Sequence, residues 1–326
     1  MNNPETIASI GENEALRRTV SRLNGGEFTI VGSGDDSAVI STTDDRFVVT
    51  TDTMIEGHDF RLDWSTFFDL GFKAVATNVS DVAAMGAKPT SLVVAIAVPG
   101  STPVTALEAF ADGLSAACTQ LAPGCAVVGG DLASSDQVFI SVTAHGALEG
   151  RAPVLRSGAK AGDVVAVAGT LGRAAAGLAL LQSGNRDAIA AYDDFVAVQL
   201  RPTPPIAQGV AAAESGATSM LDVSDGLARD AARIAKASGV RIRLNRSDLL
   251  GFAAMVEEPA MAISADAFDW VLNGGEDHAL LATFSPEAKL PRAFKPIGLV
   301  AEGSGVWLDG EELPEGGWDS VLGRSN

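Results

Sequence analysis

The sequence is poor in cysteine, in basic residues and in long apolar runs, and each shortage argues against a class of protein. Its two cysteines, Cys118 and Cys125, form no C-x-x-C ligand pattern, which favours two small buried residues in a reducing compartment over a zinc site. The net charge of −18 argues against nucleic acid and anionic membranes as partners, because both require a basic footprint. The apolar run at 92–98 has the length of a buried strand, and the first residues lack the apolar core of a signal peptide. We therefore expect a cytoplasmic protein.

The remaining composition is that of a globular chain with two domains. Apolar residues make up 47% and charged residues 20% of 326 residues, a length that suits two domains of ordinary size. Predicted strands and helices alternate, and Phe68, Phe72 and Val75 recur with helical spacing in a helix predicted at 66–85. A connection with Gly and Pro at 149–162 predicts domains at 1–150 and 151–326. The fold class expected is α/β (mixed α+β), with helices packed on mixed sheets.

The familiar nucleotide and protease signatures are also missing. The sequence contains no G-x-x-x-x-G-K-[ST], no G-x-G-x-x-G that opens a helix, no H-R-D or D-F-G set and no H-E-x-x-H. Its three histidines are scattered, and no nucleophile elbow supports a Ser-His-Asp arrangement. Any site must therefore be built from other residues.

Acidic residues beside Gly, Ser or Thr recur along the chain. These motifs are Gly34-Asp35-Asp36-Ser37, Thr50-Thr51-Asp52-Thr53, Asn78-Val79-Ser80-Asp81, Gly129-Gly130-Asp131, Asp222-Val223-Ser224-Asp225-Gly226 and Asn273-Gly274-Gly275-Glu276-Asp277. Any one of them alone is more often a turn or a helix cap. Most follow a predicted strand, however, and the ends of strands are where α/β proteins usually build sites.

Their chemistry points to magnesium and phosphate. Mg²⁺ prefers a few carboxylates together with water and substrate phosphate, and bound ions turn an acidic cluster into an anion-binding site. The adjacent glycines let backbone N–H groups approach phosphate oxygens closely. Arg156 offers a bidentate phosphate contact, although on residue type alone a solvated linker charge is an equal interpretation.

Taken together, these motifs resemble those of the thiamine-monophosphate kinases. That family belongs to a superfamily with aminoimidazole ribonucleotide synthetase, selenophosphate synthetase and a hydrogenase-maturation protein. The resemblance rests on GSGDDSAV (32–39), TTDT (50–53), NVSDVAAMGAKP (78–89), VVGGD (127–131), LRSGAKAGD (155–163), DVSDGLARD (222–230) and NGGEDHAL (273–280). GGED (274–277) and the Gly317-Trp318-Asp319 near the end are similar to the kinase branch in particular.

The resemblance implies roles for individual residues. The positions that match metal ligands for several Mg²⁺ ions are Asp36, Thr50, Thr51, Asp52, Asp81, Asp131, Asp222 and Asp225, with Asp52, Asp81 and Asp131 central to catalysis. The positions that match ATP contacts are Gly130, Asp131, Arg156 and Ser224. Those that match substrate contacts are Asp59, Glu276 and Trp318, and a carboxylate and an aromatic face would suit a cationic thiazolium.

One motif departs from the family pattern. Many members carry histidine directly before phenylalanine after the T-D-T strand, whereas this chain has Gly57-His58-Asp59-Phe60. Asp59 takes the matching position, and a carboxylate is a poor direct partner for a phosphate.

The activity that the resemblance implies is ATP-dependent phosphorylation of thiamine monophosphate in a homodimer. The acceptor oxygen is already ionised at neutral pH, so catalysis would rest on positioning and charge neutralisation. Two alternatives stay open: a synthetase of the aminoimidazole ribonucleotide type, and a nucleotide-binding module without catalysis. The selenophosphate and hydrogenase-maturation branches are disfavoured because residues 1–117 lack cysteine and the chain ends in Leu322-Gly-Arg-Ser-Asn.

Overall fold

The computed structural model describes residues 5–33, 38–314, 316–319 and 324–325, without the side chains of residues 12, 13, 318, 319, 324 and 325. The chain divides into two units. The N-terminal unit comprises Met1–Val82 and Ala87–Gly150, and the C-terminal unit comprises Ala83–Gly86 and Arg151–Asn326.

The N-terminal unit is built around a four-stranded sheet. Its elements are α1 (Ile7–Ile10), α2 (Glu12–Val20), β1 (Thr29–Val31), β2 (Val39–Ile40), β3 (Phe47–Ile55), α3 (Phe67–Ala84, whose last two residues fall in the other unit), β4 (Lys88–Val98), α4 (Val104–Leu121), β5 (Ala126–Ser134) and β6 (Phe139–Ala147). The strand order is β3-β6-β4-β5, with only the β4–β5 pair parallel, and β1 and β2 form a separate two-stranded sheet.

The two faces of this sheet differ in polarity and cover. On one face, alternate residues of β4 and β6 such as Leu92, Val94 and Val142 are buried. On the other face, large apolar side chains are exposed: Phe47 (58%), Val49 (56%), Val93 (37%) and Phe139 (36%). Strand alternation thus produces one core face and one apolar face that this chain leaves exposed to solvent.

Helices α3 and α4 cross at two glycines. A Cβ at Gly71 would lie 2.1 Å from the Phe110 carbonyl oxygen, and a Cβ at Gly113 would lie 2.1 Å from that of Phe68. Only glycine permits this backbone approach, which holds α3 in place beside the sheet.

The C-terminal unit is built on a seven-stranded mixed sheet. Its elements are β7 (Val164–Ala168), α5 (Arg173–Ser183), α6 (Arg186–Ala191), α7 (Asp193–Leu200), α8 (Ala207–Glu214), β8 (Ala217–Val223), α9 (Leu227–Ser238), β9 (Arg241–Leu244), α10 (Arg246–Met255), α11 (Glu257–Ala262), α12 (Ala267–Asn273), β10 (Ala279–Phe284), β11 (Lys295–Ala301), β12 (Val306–Leu308), β13 (Glu311–Glu312), β14 (Trp318–Asp319) and β15 (Arg324–Ser325). The order in the sheet is β13-β12-β9-β11-β7-β10-β8, with β12–β9 parallel, and β14 pairs with β15 separately.

Both faces of the larger sheet are covered. In β7, Val165 and Val167 belong to a large apolar cluster with helices α5, α9 and α12, whereas Ala166 and Ala168 belong to a smaller cluster on the other face. Burial on both faces explains why β7 reads as a continuous apolar run. The mixed α/β fold class is confirmed. Within the part of the chain that the structure describes, no helix has the length and apolar character needed to cross a bilayer.

Candidate active site

The strand β3 carries three of the predicted metal positions, and its alternation separates them. Thr50 donates a hydrogen bond of 2.9 Å from Oγ1 to Oδ2 of Asp81 on α3. Asp52 is exposed and lies two residues further along, on the same side of the strand. Thr51 lies on the opposite side, and its hydroxyl donates to the Val142 carbonyl oxygen at 2.9 Å. The fold therefore brings Thr50 and Asp81 into contact, and Asp52 lies on the same face of β3, two residues from Thr50.

Asp131 lies on β5, at the opposite edge of the same sheet from β3. Its neighbour Gly130 pairs with Val94, which pairs with Val142, which pairs with Asp52. Asp52 and Gly130 thus lie in one row, separated along the sheet by three strand spacings, on the order of 14 Å. The predictions that Asp52 and Asp131 follow strand ends are wrong, because β3 continues to Ile55 and β5 to Ser134. Both residues lie inside strands, since these edge strands extend beyond their apolar segments.

A cavity of about 880 Å³ opens beside Gly130 and Asp131. Its walls come from α2, α4 and the strands β4 and β5, and include Leu16, Val20 and Phe110. This volume is typical of a small-molecule site. The predicted ligand Asp36 lies outside the residues that the structure describes.

The turn after β3 gives Asp59 a structural contact. The Asp59 carboxylate accepts a hydrogen bond of 2.7 Å from the Ile55 backbone N–H, and the N–H groups of His58 and Asp59 both donate to the Ile55 carbonyl. The His58 side chain is exposed beside it. Asp59 therefore closes the turn, and its predicted contact with substrate stays a prediction.

In the C-terminal unit, the end of β8, the loop that follows it and the first turns of α9 carry a set of paired charges. Buried Asp222 lies 2.9 Å from His278 Nδ1. Arg233 bridges the carboxylates of Asp225 and Asp230, and Asp230 also accepts the Asp225 backbone N–H at 2.9 Å. Burial raises the pKa of Asp230 to about 7, while the Arg233 charge opposes that shift.

The sequence analysis missed Arg233 and His278. A signal existed for Arg233, because Asp230 and Arg233 are three residues apart on one helix, the spacing of neighbouring side chains. His278 shows no such signal, since its partner lies 56 residues away in the chain.

Three predicted motifs meet at this loop. The Glu276 backbone N–H donates to the Ser224 carbonyl oxygen at 2.9 Å. Gly317, directly before Trp318, approaches so closely that a Cβ there would lie 2.3 Å from the Asp225 carbonyl oxygen. The Trp318 side chain itself lies outside the description. Glu276 and the Gly317-Trp318 segment are thus brought to the Ser224-Asp225 loop.

Buried neighbours hold the Glu276 segment. Glu276 has a positive φ of 65° and accepts a hydrogen bond from buried Gln199. The next residue, Asp277, accepts hydrogen bonds from the Thr170 hydroxyl at 2.6 Å and the Ala174 N–H at 3.1 Å. Burial raises the pKa of Asp277. These hydrogen bonds therefore restrict the backbone that carries the Glu276 carboxylate.

Arg156 is exposed on the loop that precedes β7, and this loop reaches the last residue of α9, Ser238. Ser224 and Asp225 lie just before the other end of α9. A helix of 12 residues is about 18 Å long, so the Arg156 backbone and the Asp225 loop are well separated.

The predicted donors fit magnesium by type. Thr50, Asp52 and Asp81 offer hydroxyl and carboxylate oxygens, which are hard ligands. Within the described ranges, no group of three or more His, Cys, Asp or Glu side chains is arranged to hold a metal ion.

Comparison with known proteins decides the family. The models for the N-terminal and C-terminal domains of AIR synthase related protein match residues 34–148 and 160–303. The thiamine-monophosphate kinase of Mycobacterium tuberculosis is 44% identical over 317 residues, 97% of this chain and 93% of that protein. The chain belongs to the thiamine-monophosphate kinase family.

Solved structures of family members share the fold. The thiamine monophosphate kinase of Aquifex aeolicus has a TM-score of 0.74 at 33% identity, covering 82% of this chain and 89% of that chain. The structure of AaThiL complexed with AMPPCP and TMP has a TM-score of 0.76 at 31% identity, covering 94% of each chain. The family resemblance drawn from the motifs is confirmed.

Proposed function

We propose that this protein transfers the γ-phosphate of ATP to thiamine monophosphate and releases thiamine diphosphate and ADP. The observation that carries the proposal is the 44% identity to a thiamine-monophosphate kinase over 97% of the chain. A related structure complexed with AMPPCP, an ATP analogue, and TMP supports the same pair of substrates. The Thr50–Asp81 hydrogen bond and the hydrogen bond from the Glu276 N–H to the Ser224 carbonyl each join two of the proposed site residues, which also supports the proposal.

In the proposed reaction, a phosphate oxygen of thiamine monophosphate attacks the γ-phosphorus of ATP. The bond from that phosphorus to the β,γ-bridging oxygen breaks, and its electron pair leaves with ADP. The attacking oxygen is already ionised at neutral pH, so no general base is required. The chain's task is to hold two polyanions in line and to offset their charge.

The proposed metal ligands are the oxygen donors Asp36, Thr50, Thr51, Asp52, Asp81, Asp131, Asp222 and Asp225. Magnesium bound there would neutralise the phosphates and stabilise the charge that develops during transfer. Thr50 orients the Asp81 carboxylate through the 2.9 Å hydrogen bond. Gly130, Asp131, Arg156 and Ser224 are the proposed ATP contacts.

The proposed contacts to thiamine monophosphate are Glu276, Trp318 and Asp59. A thiazolium cation would be favoured by the Glu276 carboxylate and by an aromatic ring. Asp59 accepts the Ile55 N–H, and because a carboxylate and a phosphate repel each other, Asp59 would contact the substrate phosphate only through a metal ion or water.

We propose that residues 1–150 bind metal and ATP and form a homodimer, and that residues 151–326 complete the ATP and substrate site. The exposed apolar face of Phe47, Val49, Val93 and Phe139 supports dimer formation, because a face of that kind usually packs against a partner. Sedimentation or light scattering of the purified chain, with Val49→Glu as the interface variant, tests the dimer. We propose a cytoplasmic location, because two small buried cysteines, Cys118 and Cys125, suit a reducing compartment.

Direct detection of thiamine diphosphate tests the function. The purified chain is incubated with ATP, Mg²⁺ and thiamine monophosphate, and parallel samples contain free thiamine, formylglycinamidine ribonucleotide or EDTA. Product only from thiamine monophosphate, and none with EDTA, is the expected result. ADP release with the ribonucleotide alone would instead assign a synthetase, and ATP binding without turnover of any substrate would assign a binding module.

A further inference from the structure

The Ser238 hydroxyl is the central anchor of the loop that carries Arg156. Ser238 Oγ donates to the Arg156 carbonyl oxygen at 3.1 Å and accepts the N–H groups of Gly158 and Ala159, each at 3.2 Å. A serine hydroxyl has one proton to donate and two lone pairs to accept. The Ser238 hydroxyl therefore makes all of its hydrogen bonds with the backbone of this one loop.

The flanks of the loop are held by other groups. The Leu155 carbonyl accepts the Met220 N–H of β8 at 3.0 Å. On the other side, the Lys160 N–H donates to buried Asp163 at 2.9 Å. Loss of the Ser238 hydroxyl would therefore release the middle of the loop while both of its ends stay attached.

The Arg156 side chain is exposed, so its direction depends on this backbone. A long arginine loses much rotamer freedom when it binds, and a mobile backbone beneath it adds to that loss. The bond to the Arg156 carbonyl acts on the residue itself, and the bonds to Gly158 and Ala159 act two and three residues away.

We propose that Ser238 is a positioning residue for nucleotide binding, which acts by fixing the backbone from which Arg156 contacts ATP. This inference rests on the proposed function, because Arg156 is a proposed ATP contact. Ser238→Ala removes three neutral hydrogen bonds and should raise KM for ATP about tenfold, with kcat and KM for thiamine monophosphate within about twofold. Ser238→Thr keeps the hydroxyl and should remain close to the parent enzyme.

A double-mutant cycle with Arg156→Gln tests whether Ser238 acts through Arg156. The expected result is that Arg156→Gln raises KM for ATP and that Ser238→Ala adds nothing further in that background. Calorimetric titration with AMPPCP provides a second readout that does not depend on turnover. Ser183→Ala is the matched control, because Ser183 also ends a helix and bonds backbone groups, the Leu180 carbonyl and the Asn185 N–H, but lies outside this loop.

The remaining outcomes overturn the inference in distinguishable ways. If Arg156→Gln weakens AMPPCP binding while Ser238→Ala leaves it unchanged, the role of Ser238 is refuted and the proposed function stands. If the two effects add, Ser238 does not act through Arg156. If Arg156→Gln has no effect, the assigned ATP contact fails together with the inference. A fall in melting temperature with kcat and both KM values altered would show a general structural role.

Discussion

Replacing Thr50 by valine should weaken catalysis while the fold is kept. Valine has nearly the shape of threonine and is favoured in strands, so β3 should form as before. The substitution removes the hydroxyl that donates to Asp81 Oδ2 at 2.9 Å. What is lost is therefore one proposed metal ligand and the orientation of a second, Asp81, and not the packing of the sheet.

The size of the effect follows from this contact. A hydrogen bond to a charged group contributes about 1.5–3 kcal/mol, and since both groups are only half-buried, the lower end applies. About 1.4 kcal/mol corresponds to a factor of ten, so kcat/KM should fall about tenfold. The Mg²⁺ concentration that gives half-maximal activity should rise, because Thr50 and Asp81 are both proposed ligands.

The assay measures thiamine diphosphate formation across a Mg²⁺ titration, with urea unfolding as a check on stability. Thr53→Val is the matched control, because Thr53 is on the same strand but on its opposite side. That variant should stay within about twofold of the parent. Parent-like rate and Mg²⁺ dependence in Thr50→Val would refute the role of this hydrogen bond, and equal losses in both variants would point to general damage to β3.

Three further outcomes are expected. Asp52→Asn should abolish turnover and keep the melting temperature, because Asp52 is exposed; near-normal activity would contradict the metal assignment. Gly113→Ala should lower unfolding free energy by about 1–3 kcal/mol or more, since the new Cβ would lie 2.1 Å from the Phe68 carbonyl; an unchanged urea midpoint would contradict the helix crossing. Burial raises the pKa of Asp277 in the folded chain. Above the ordinary pKa of an aspartate, the unfolded chain therefore loses the Asp277 proton while the folded chain still keeps it. As the pH rises through this range, the contribution of Asp277 to the stability of the folded chain falls. Asp277→Asn should therefore gain stability relative to the parent as the pH rises from 4 to 8, and an identical difference at both pH values would count against a raised pKa.

Much of the fold was predictable because its signals are local. The helix predicted at 66–85 is α3, Phe67–Ala84, and the apolar run at 92–98, interpreted as a buried strand, lies within β4, Lys88–Val98. Periodicity within a few residues suffices for such elements. The ends of β3 and β5 were predicted too early, because polar residues such as Asp52 and Asp131 look like turns when the pairing of their strands is unknown.

By itself, the sequence determined the family, the mixed α/β class and the kind of chemistry, since short motifs carry carboxylates, glycines and hydroxyls whatever their neighbours. Only the tertiary structure decided which of these groups act together. Thr50 meets Asp81 across 31 residues, and Ser238 meets the Arg156 loop across 82. Such contacts depend on strand register and on helix packing. Both are set by the packing of the whole core, so a short stretch of sequence does not predict them.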